Sequence, residues 1–455
     1  MRVIGLDIGT TTICAIVVNG ETGEIIETIT LDNKSFLTTE YSWEKIQDTN
    51  MILSKAEEII FKLSTRHSPI GSIGFTGQMH GILYLDKDGN AVSPLYTWQD
   101  GRGDIKFNNY KTYVEFLSEK TGYKLATGYG VVTHFYNFHN KIVPKNSCCF
   151  CTIQDYVAMK VAGGTIPIIN RTNAASLGLF DLEGNCFDSA AINKIGLNKD
   201  MFPKVESGAM KIGNSTQNIP IIIAIGDNQA SFIGSVRNMK DSILINVGTG
   251  SQISLSTTGY KLCLGGETRP SVDNEFLIVG SSLCGGRAYS ILEEFFNSFV
   301  FIATGKKNND IYAVMEKMAE KVMYKENKPK VTTTFSGTRE NPLKRGGIEN
   351  LGNDNFTPEY FTIGVLEGIV DELFNMYTEM SIVLQEKPSI LIGSGNGIRK
   401  NVILQRLLSE KFDMPIKIPL HKEEASYGAA LFALIGIGYF KDIVQAQQLI
   451  EYQGE

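Results

Sequence analysis

The chain has 455 residues, more than the roughly 250–300 that one hydrophobic core usually serves, so two domains of about 200 residues each are expected. With 43% hydrophobic and 20% charged residues it holds enough apolar material for two cores, which excludes a disordered chain. The formal net charge of -6, with Lys and Arg scattered along the chain, gives no basic footprint for nucleic acid and points instead to a sugar or nucleotide ligand.

The first residues, Met1-Arg-Val-Ile-Gly-Leu-Asp7, enter a strand at once, without a long apolar signal core, so export is not expected. They lead into Gly5-Leu-Asp-Ile-Gly-Thr-Thr-Thr12, a Gly-permitted turn rich in hydroxyls, and then into another β-rich run, Ile13-Cys-Ala-Ile-Val-Val18. Such a hairpin turn offers backbone N–H groups and hydroxyls to an anion. The spacing of Ile46, Ile52, Leu53, Ile59, Ile60 and Leu63 predicts a helix from Trp43 to Arg66, and Ile70-Gly-Ser-Ile-Gly-Phe75 reads as the strand that follows. Gln78, Met79 and His80 lie in the turn after it.

Trp98, one of only two tryptophans, stands beside Gln99, Asp100 and Arg102 rather than in an apolar run. A flat indole can cover the C–H face of a sugar while Asp100 takes hydroxyl bonds; the alternative is that Asp100 and Arg102 pair with each other to brace the loop. Three of the seven cysteines fall in Cys148-Cys-Phe-Cys151, where they read as small core residues with reduced thiols rather than as a metal or redox site. The run Pro220-Ile-Ile-Ile-Ala-Ile225 predicts a strand buried on both faces, ending at Gly226-Asp-Asn-Gln229. Loops at such strand ends are where α/β proteins bind ligands.

In the second half, Leu244-Ile-Asn-Val-Gly-Thr-Gly-Ser251 repeats the first loop at a constant offset: Asn246 matches Asp7, Gly248 matches Gly9, Thr249 matches Thr10 and Ser251 matches Thr12. Two halves that lend one loop each to opposite sides of a polyphosphate make a nucleotide clamp, with the boundary expected near Met239 to Ser242. Thr357-Pro-Glu359 opens a long amphipathic helix to about Leu384. Ser389-Ile-Leu-Ile392 is then a strand, Gly393-Ser-Gly-Asn-Gly397 a turn that suits a nucleotide, and Ile398 to Phe412 a helix. Ala425 to Phe440 falls short of the ~18 apolar residues of a membrane span and reads as a buried helix.

The motifs Asp7-x-Gly-Thr-Thr11, Gly77-Gln-Met-His-Gly81, Thr97-Trp-Gln-Asp-Gly-Arg102, Gly226-Asp-Asn-Gln229, Asn246-x-Gly-Thr-Gly250 and Gly393-Ser-Gly395, in this order, resemble the FGGY carbohydrate kinases of the actin-like ATPase superfamily over nearly the whole chain. Thr152-Ile-Gln-Asp-Tyr-Val157 and Asn173-Ala-Ala-Ser-Leu-Gly-Leu-Phe180 look more narrowly like the sedoheptulokinase subgroup. The resemblance implies an α/β protein of two RNase-H-like domains flanking a central cleft. Residues 1–240 would form the sugar and γ-phosphate side and 241–455 the nucleotide side, with ATP and Mg²⁺ as cofactors and a small sugar as substrate.

By the same resemblance Asp7 is the magnesium aspartate and Asp227 the general base, a task that suits a carboxylate fixed at a strand end. Gln78, Met79, His80, Trp98, Asp100 and Asn228 would bind the sugar, with Asn173 and Ser176 as less favoured hydroxyl contacts. Thr10, Thr11 and Thr12 would meet the terminal phosphate, Gly248 and Thr249 the other phosphates, and Gly286, Gly393, Gly395 and Asn396 the base and ribose. Met79-His80 is the ketose-type form where glycerol kinases carry Arg-Glu, which disfavours glycerol. Cys14 stands where some members have Arg. The expected product is a ketose phosphate, sedoheptulose first, with xylulose, ribulose or another polyol as alternatives and a non-catalytic sugar sensor as the alternative of another class. A cytoplasmic setting is expected, and a homodimer is left open.

Overall fold

The computed structural model describes residues 1–272, 275–338, 341 and 343–455. Each Gly-Thr loop is the turn of an antiparallel hairpin, Arg2–Ile8 with Thr12–Asn19 in the first half and Ser242–Val247 with Ser251–Thr258 in the second. Successive side chains of a strand point to opposite faces, and here both faces are covered. Ile4, Leu6 and Ile8 enter one core while Val3 enters another; Ile243, Ile245 and Val247 enter a third while Leu244 joins Val3. Burial on both sides is why these strands read as unbroken apolar runs.

The two sheets grow around their hairpins in the same way. An antiparallel strand lies outside each hairpin's second strand, Ile25–Asp32 in one sheet and Glu275–Ser282 in the other. A parallel strand lies outside each first strand, Ile70–Gly77 and Ile390–Ser394. Parallel neighbours need a long crossover, which the helices Thr49–Arg66 and Pro358–Ser381 supply. This repeat is the architecture of two RNase-H-like halves. The predicted strand Pro220 to Ile225 is in fact two short pieces, Pro220–Ile222 and Ile225–Gly226, both parallel to Ile70–Gly77.

Two other boundaries differ from the expectation. The helix predicted from Trp43 begins only at Thr49, because the Asp48 side chain accepts hydrogen bonds from the N–H groups of Asn50 and Met51 and so caps it. The residues ahead are extended, and Ile46–Gln47 pairs with Leu95–Tyr96. The helix predicted from Ile398 is two helices, Asn396–Arg399 and Val402–Phe412, since the Asn401 side chain accepts from the Leu404 N–H and starts the second afresh. Cys149–Cys151 is a strand on Leu83–Leu85, and the seven cysteines are free. Among the described residues no helix is long and apolar enough to cross a membrane.

The core between the two sheets is filled by two helices, Asp227–Ser235 and Glu424–Gly436. They approach so closely that a Cβ on Gly234 would strike the Glu424 carbonyl oxygen and one on Gly428 the Ala230 carbonyl oxygen. The second helix also lies directly on the first sheet, where Gly5 and Gly74 leave room for the carbonyls of Ser426 and Ala429. Ser72 Oγ donates to the Ala433 carbonyl at 3.3 Å and Ser426 Oγ to the Cys14 carbonyl at 3.2 Å. A division at residue 240 therefore follows the chain but not the packing, because residues 424–436 close back onto the first half.

At Gly74 an added methyl would meet the Ala429 backbone and the Ala433 side chain, neither of which can move alone. Gly74→Ala is expected to lower unfolding stability by about 1–3 kcal/mol, read from the urea midpoint. Gly347→Ala, with open space around it, is the control and should change it by less than about 0.5 kcal/mol; equal midpoints for the two would refute the close-packing account.

Candidate active site

The first hairpin turn is clamped from below by Asn33, whose Nδ2 donates to the Gly9 carbonyl at 2.8 Å and whose N–H donates to the Thr11 carbonyl at 2.7 Å. Thr11 and Thr12 are exposed above it. The second turn is propped by the start of the helix Gly285–Thr304: the N–H of Gly286 donates to the Gly248 carbonyl at 3.0 Å and that of Arg287 to the Thr249 carbonyl at 2.9 Å. Ser251 Oγ, the counterpart of Thr12, is buried without a hydrogen-bond partner. A cavity of ≈ 870 Å³ opens beside this turn, lined by Gly248, Thr249, Gly286, Gly395 and Asn396 together with apolar Ile369 and Leu404. That volume, within the roughly 300–1,000 Å³ of small-molecule sites, suits a nucleotide. Gly393 does not line it; its strand pairs with Ile245, and Ile398, Ile416 and Ile418 fill the space over its Cα.

Asp227 is the first residue of its helix, with Gly226 at the N-cap. Burial pushes its carboxyl up to about 6, against the opposing pull of the Asn228 N–H and the Arg269 guanidinium. Asp7, paired across the first hairpin with Cys14, is pushed up to about 7 by burial and then by the negative charges of Asp227 and Glu423. Cys14 is itself a neutral thiol, pushed up to about 12 chiefly by burial, so it brings no positive charge where an Arg would. A divalent cation would relieve this crowding of carboxyls. Among the described residues no group of three or more His, Cys, Asp or Glu side chains could hold a metal ion by itself. A site of few, all-oxygen protein ligands fits Mg²⁺, which keeps several waters and takes further ligands from phosphates.

The residues expected at the sugar surround this centre. Gln78 still donates its N–H to the Ile8 carbonyl at 3.0 Å, and the chain leaves the sheet just beyond it. Met79 is buried against Gly226. His80 has a φ of 73°, a strained value for a residue with a side chain. It is fixed by Ser176, whose Oγ accepts from its N–H at 3.2 Å and whose carbonyl lies 2.7 Å from Nδ1, so that Nδ1 carries the proton. Its ring stacks on Tyr129 at 4.6 Å. Asn228 donates through Nδ2 to Gln252 Oε1 at 2.8 Å, while its buried Oδ1 has no partner and is an acceptor ready for a hydroxyl. Trp98 keeps 45% of its surface exposed and donates its indole N–H to Thr10 Oγ1 at 3.0 Å.

Asp100 is different. It is fully buried, one oxygen takes Arg102 Nε at 2.5 Å, and the other takes Arg102 Nη2 and the Lys45 N–H, both at 3.0 Å. The guanidinium is itself enclosed, 4.2 Å over the Tyr96 ring and donating to Asn137. With both oxygens committed, Asp100 braces the loop beneath Trp98 instead of reaching a sugar hydroxyl. Asn173 is also behind the site, its Nδ2 held by Asp155 and the Ala224 carbonyl, all at 3.2 Å.

Several site residues gave no sequence signal. Glu267 and Arg269, from the strand Glu267–Pro270 of the second half, reach across to the first, where Tyr129 OH donates to Glu267 Oε1 at 3.2 Å. Burial would raise the Glu267 carboxyl, but the Arg269 guanidinium, 2.9 Å away, overrides it and holds it well below the usual range. Gln229 Nε2 donates to the Pro270 carbonyl at 2.8 Å on the same seam. Isolated acids and amides carry no periodicity or motif, so only a signal for which loops meet across the cleft could have found them. The Gly-Asp-Asn-Gln motif marks one side of that meeting alone.

The comparisons with known proteins agree with this geometry. Residues 2–234 match the model for the N-terminal domain of the FGGY family of carbohydrate kinases, and residues 245–437 match the model for its C-terminal domain. The sedoheptulokinase of Mus musculus is 26% identical over 423 residues, covering 85% of this chain and 86% of that protein. A xylulose kinase of Staphylococcus xylosus is 24% identical over 468 residues, covering 96% and 91%. Among solved structures, xylulose kinase from Rhodospirillum rubrum superimposes with a TM-score of 0.86 at 18% identity, covering 100% of this chain and 93% of that one. Two matched domain models spanning the repeated hairpins, the cleft and its carboxyl pair identify the chain as a member of the FGGY family of carbohydrate kinases.

Proposed function

We propose that this kinase transfers the terminal phosphoryl group of ATP, with Mg²⁺, to a primary hydroxyl of a ketose, and that sedoheptulose is its acceptor, giving sedoheptulose 7-phosphate. The observation that carries the reaction type is the half-buried Asp7 and Asp227 carboxyl pair, close enough for the charge of one to raise the other, at the foot of the first Gly-Thr hairpin. Phosphoryl transfer asks little covalent help of a protein; positioning and electrostatic stabilisation dominate.

Asp227 accepts the proton of the sugar hydroxyl as its oxygen bonds to the γ-phosphorus and the bond from that phosphorus to the β-bridging oxygen breaks, releasing ADP. An alcohol is far too weak an acid to be ionised beforehand by a carboxylate, so the proton moves late and the placement of Asp227 matters more than its basicity. Asp7 would hold the hydrated Mg²⁺, whose charge would offset that of the phosphates. Thr10, Thr11 and Thr12 would meet the terminal phosphate, Gly248 and Thr249 the others, and Gly286, Gly395 and Asn396 the nucleoside. His80, Trp98 and the acceptor Oδ1 of Asn228 would define the sugar pocket.

Support for a ketose comes from Met79-His80, where glycerol kinases carry Arg-Glu, and from the sedoheptulokinases of Mus musculus and Homo sapiens, 26% and 25% identical. Xylulose is the second reading, favoured by the 24% identity to the Staphylococcus xylosus enzyme. The presence of both Asp7 and Asp227 argues against a sensor that binds sugar without turnover.

The test is ADP release with ATP and Mg²⁺ across sedoheptulose, xylulose, ribulose, fructose, ribitol and glycerol. The highest kcat/KM is expected for sedoheptulose; a higher value for another sugar would replace the acceptor, and no sugar-stimulated release would end the kinase reading. Asp227→Asn should still bind ATP and sugar by calorimetry yet lose at least about 10²–10⁴-fold in kcat. Undiminished turnover would remove Asp227 as the base. Because the Asp227 carboxyl stands near 6 and the Asp7 carboxyl near 7, and each acts in its ionised form, kcat/KM of the parent should fall as pH drops through about 7 and 6 and level off only above about 7. A profile flat from pH 5 to 8 would contradict that role.

A further inference from the structure

Trp98 and Thr10, expected to serve different substrates, are bonded to each other, and Thr10 closes a ring of hydrogen bonds with Gln78 and Gln47 into which Trp98 donates from outside. Trp98 Nε1 donates to Thr10 Oγ1 at 3.0 Å, and Thr10 Oγ1 donates to Gln78 Oε1 at 3.2 Å. Gln78 Nε2 donates to Gln47 Oε1 at 2.9 Å, and Gln47 Nε2 donates back to the Thr10 carbonyl at 2.9 Å. One atom sets the sense of every bond. The Thr10 carbonyl can only accept, so Gln47 must turn Nε2 toward it and Oε1 toward Gln78. Gln78 must then give Nε2 to Gln47 and offer Oε1 to Thr10. The single hydroxyl proton of Thr10 goes to Gln78, and the Thr10 oxygen accepts from the indole, which is a donor only.

Gln47 is fully buried and uses both ends of its amide. Its strand, Ile46–Gln47, is paired with Leu95–Tyr96, which leads into the Trp98 loop. The neighbouring Lys45 carbonyl accepts from Thr97 N and Oγ1 at 3.1 and 2.8 Å. Residues 43–48 therefore strap the sugar loop to the phosphate hairpin. The proton of Thr10 has two claimants, Gln78 Oε1 and a phosphate oxygen. While Gln78 holds it, the Thr10 hydroxyl has no proton to give an incoming phosphate; a sugar hydroxyl that competes for Gln78 Oε1 releases it.

We propose that Gln47 is a positioning residue that couples the two substrate sites: by fixing the orientation of the Gln78 amide, it makes sugar binding strengthen phosphate binding at Thr10. The inference rests on the kinase reading above. It is tested by calorimetry of a non-hydrolysable ATP analogue with Mg²⁺, with and without a saturating amount of the sugar that is turned over in the acceptor panel. In the parent the sugar should tighten the analogue by about ten-fold, within the usual range of coupling between sites. Gln47→Met keeps the shape but opens the ring, and Gln47→Asn keeps the amide but is too short to reach both partners. In both the tightening should fall below about two-fold, with the affinity for the analogue alone changed much less. Thr10→Val, at a half-buried position, removes the hydroxyl whose proton carries the coupling and should abolish the tightening as well. Full tightening in the folded Gln47 variants, or in Thr10→Val should those not fold, would overturn the proposal. A parent that turns over sugar without tightening the analogue would remove the coupling and leave the kinase reading; a parent that turns over no sugar would remove both.

Discussion

The contact on which the rest of this structure depends is the close approach of two helix backbones between the sheets. Gly234 and Gly428 let the helices Asp227–Ser235 and Glu424–Gly436 meet carbonyl to Cα, and Gly5 and Gly74 let the second helix settle on the first sheet. Close packing in protein interiors leaves no slack at such a seam. It fixes the height and direction of the helix whose first residue is Asp227, and so the position of that carboxyl relative to Asp7. It also packs the end of the chain into a core shared by the two halves, where Val3 and Ile16 of the first sheet meet Leu244 and Leu277 of the second through these helices.

The active-site cleft has the opposite character. Its polar groups are partly uncompensated: the Asp7 and Asp227 carboxyls are raised by burial, and Ser251 Oγ and Asn228 Oδ1 are buried without partners. Unsatisfied buried polar groups cost free energy in the absence of a ligand. Such groups persist where the surrounding scaffold over-determines them, and they cluster at functional sites. The supporting groups are fully satisfied by contrast. Asp100 is saturated by Arg102 and Lys45, and Asn173 is held by Asp155 and the Ala224 carbonyl.

Much of this was legible in the chain. The two hairpins, the strand after residue 70, the helix opened by Thr357 and Pro358, the buried helix near the end and the duplication that relates the halves all follow from local pattern, and each is present. The misjudged positions share one cause. Ile46 fits a helical period as well as a strand, and only the Asp48 cap and the partner Leu95–Tyr96 decide between them. Asp100 looks like a sugar ligand from its neighbours Trp98 and Gln99, and only the enclosure of Arg102 against Tyr96 shows where its charge is spent. Gly393 looks like part of a nucleotide turn, and only the three isoleucines over it show that the turn begins later.

The sequence by itself determined that there are two similar halves, that each carries a Gly-Thr hairpin turn, and that an acid stands at the end of an inner strand in the first. These are local properties, written in residues a few positions apart, where backbone sterics and the two-residue period of a strand act directly. Tertiary structure alone decided which groups face one another: Asp7 with Asp227 and Glu423, Tyr129 with Glu267, Thr10 with Trp98 and Gln47. Those pairings join residues far apart in the chain. Their existence depends on how sheets and helices pack, and a burial-raised carboxyl or a closed ring of amides arises only once that packing has excluded water from the cleft floor.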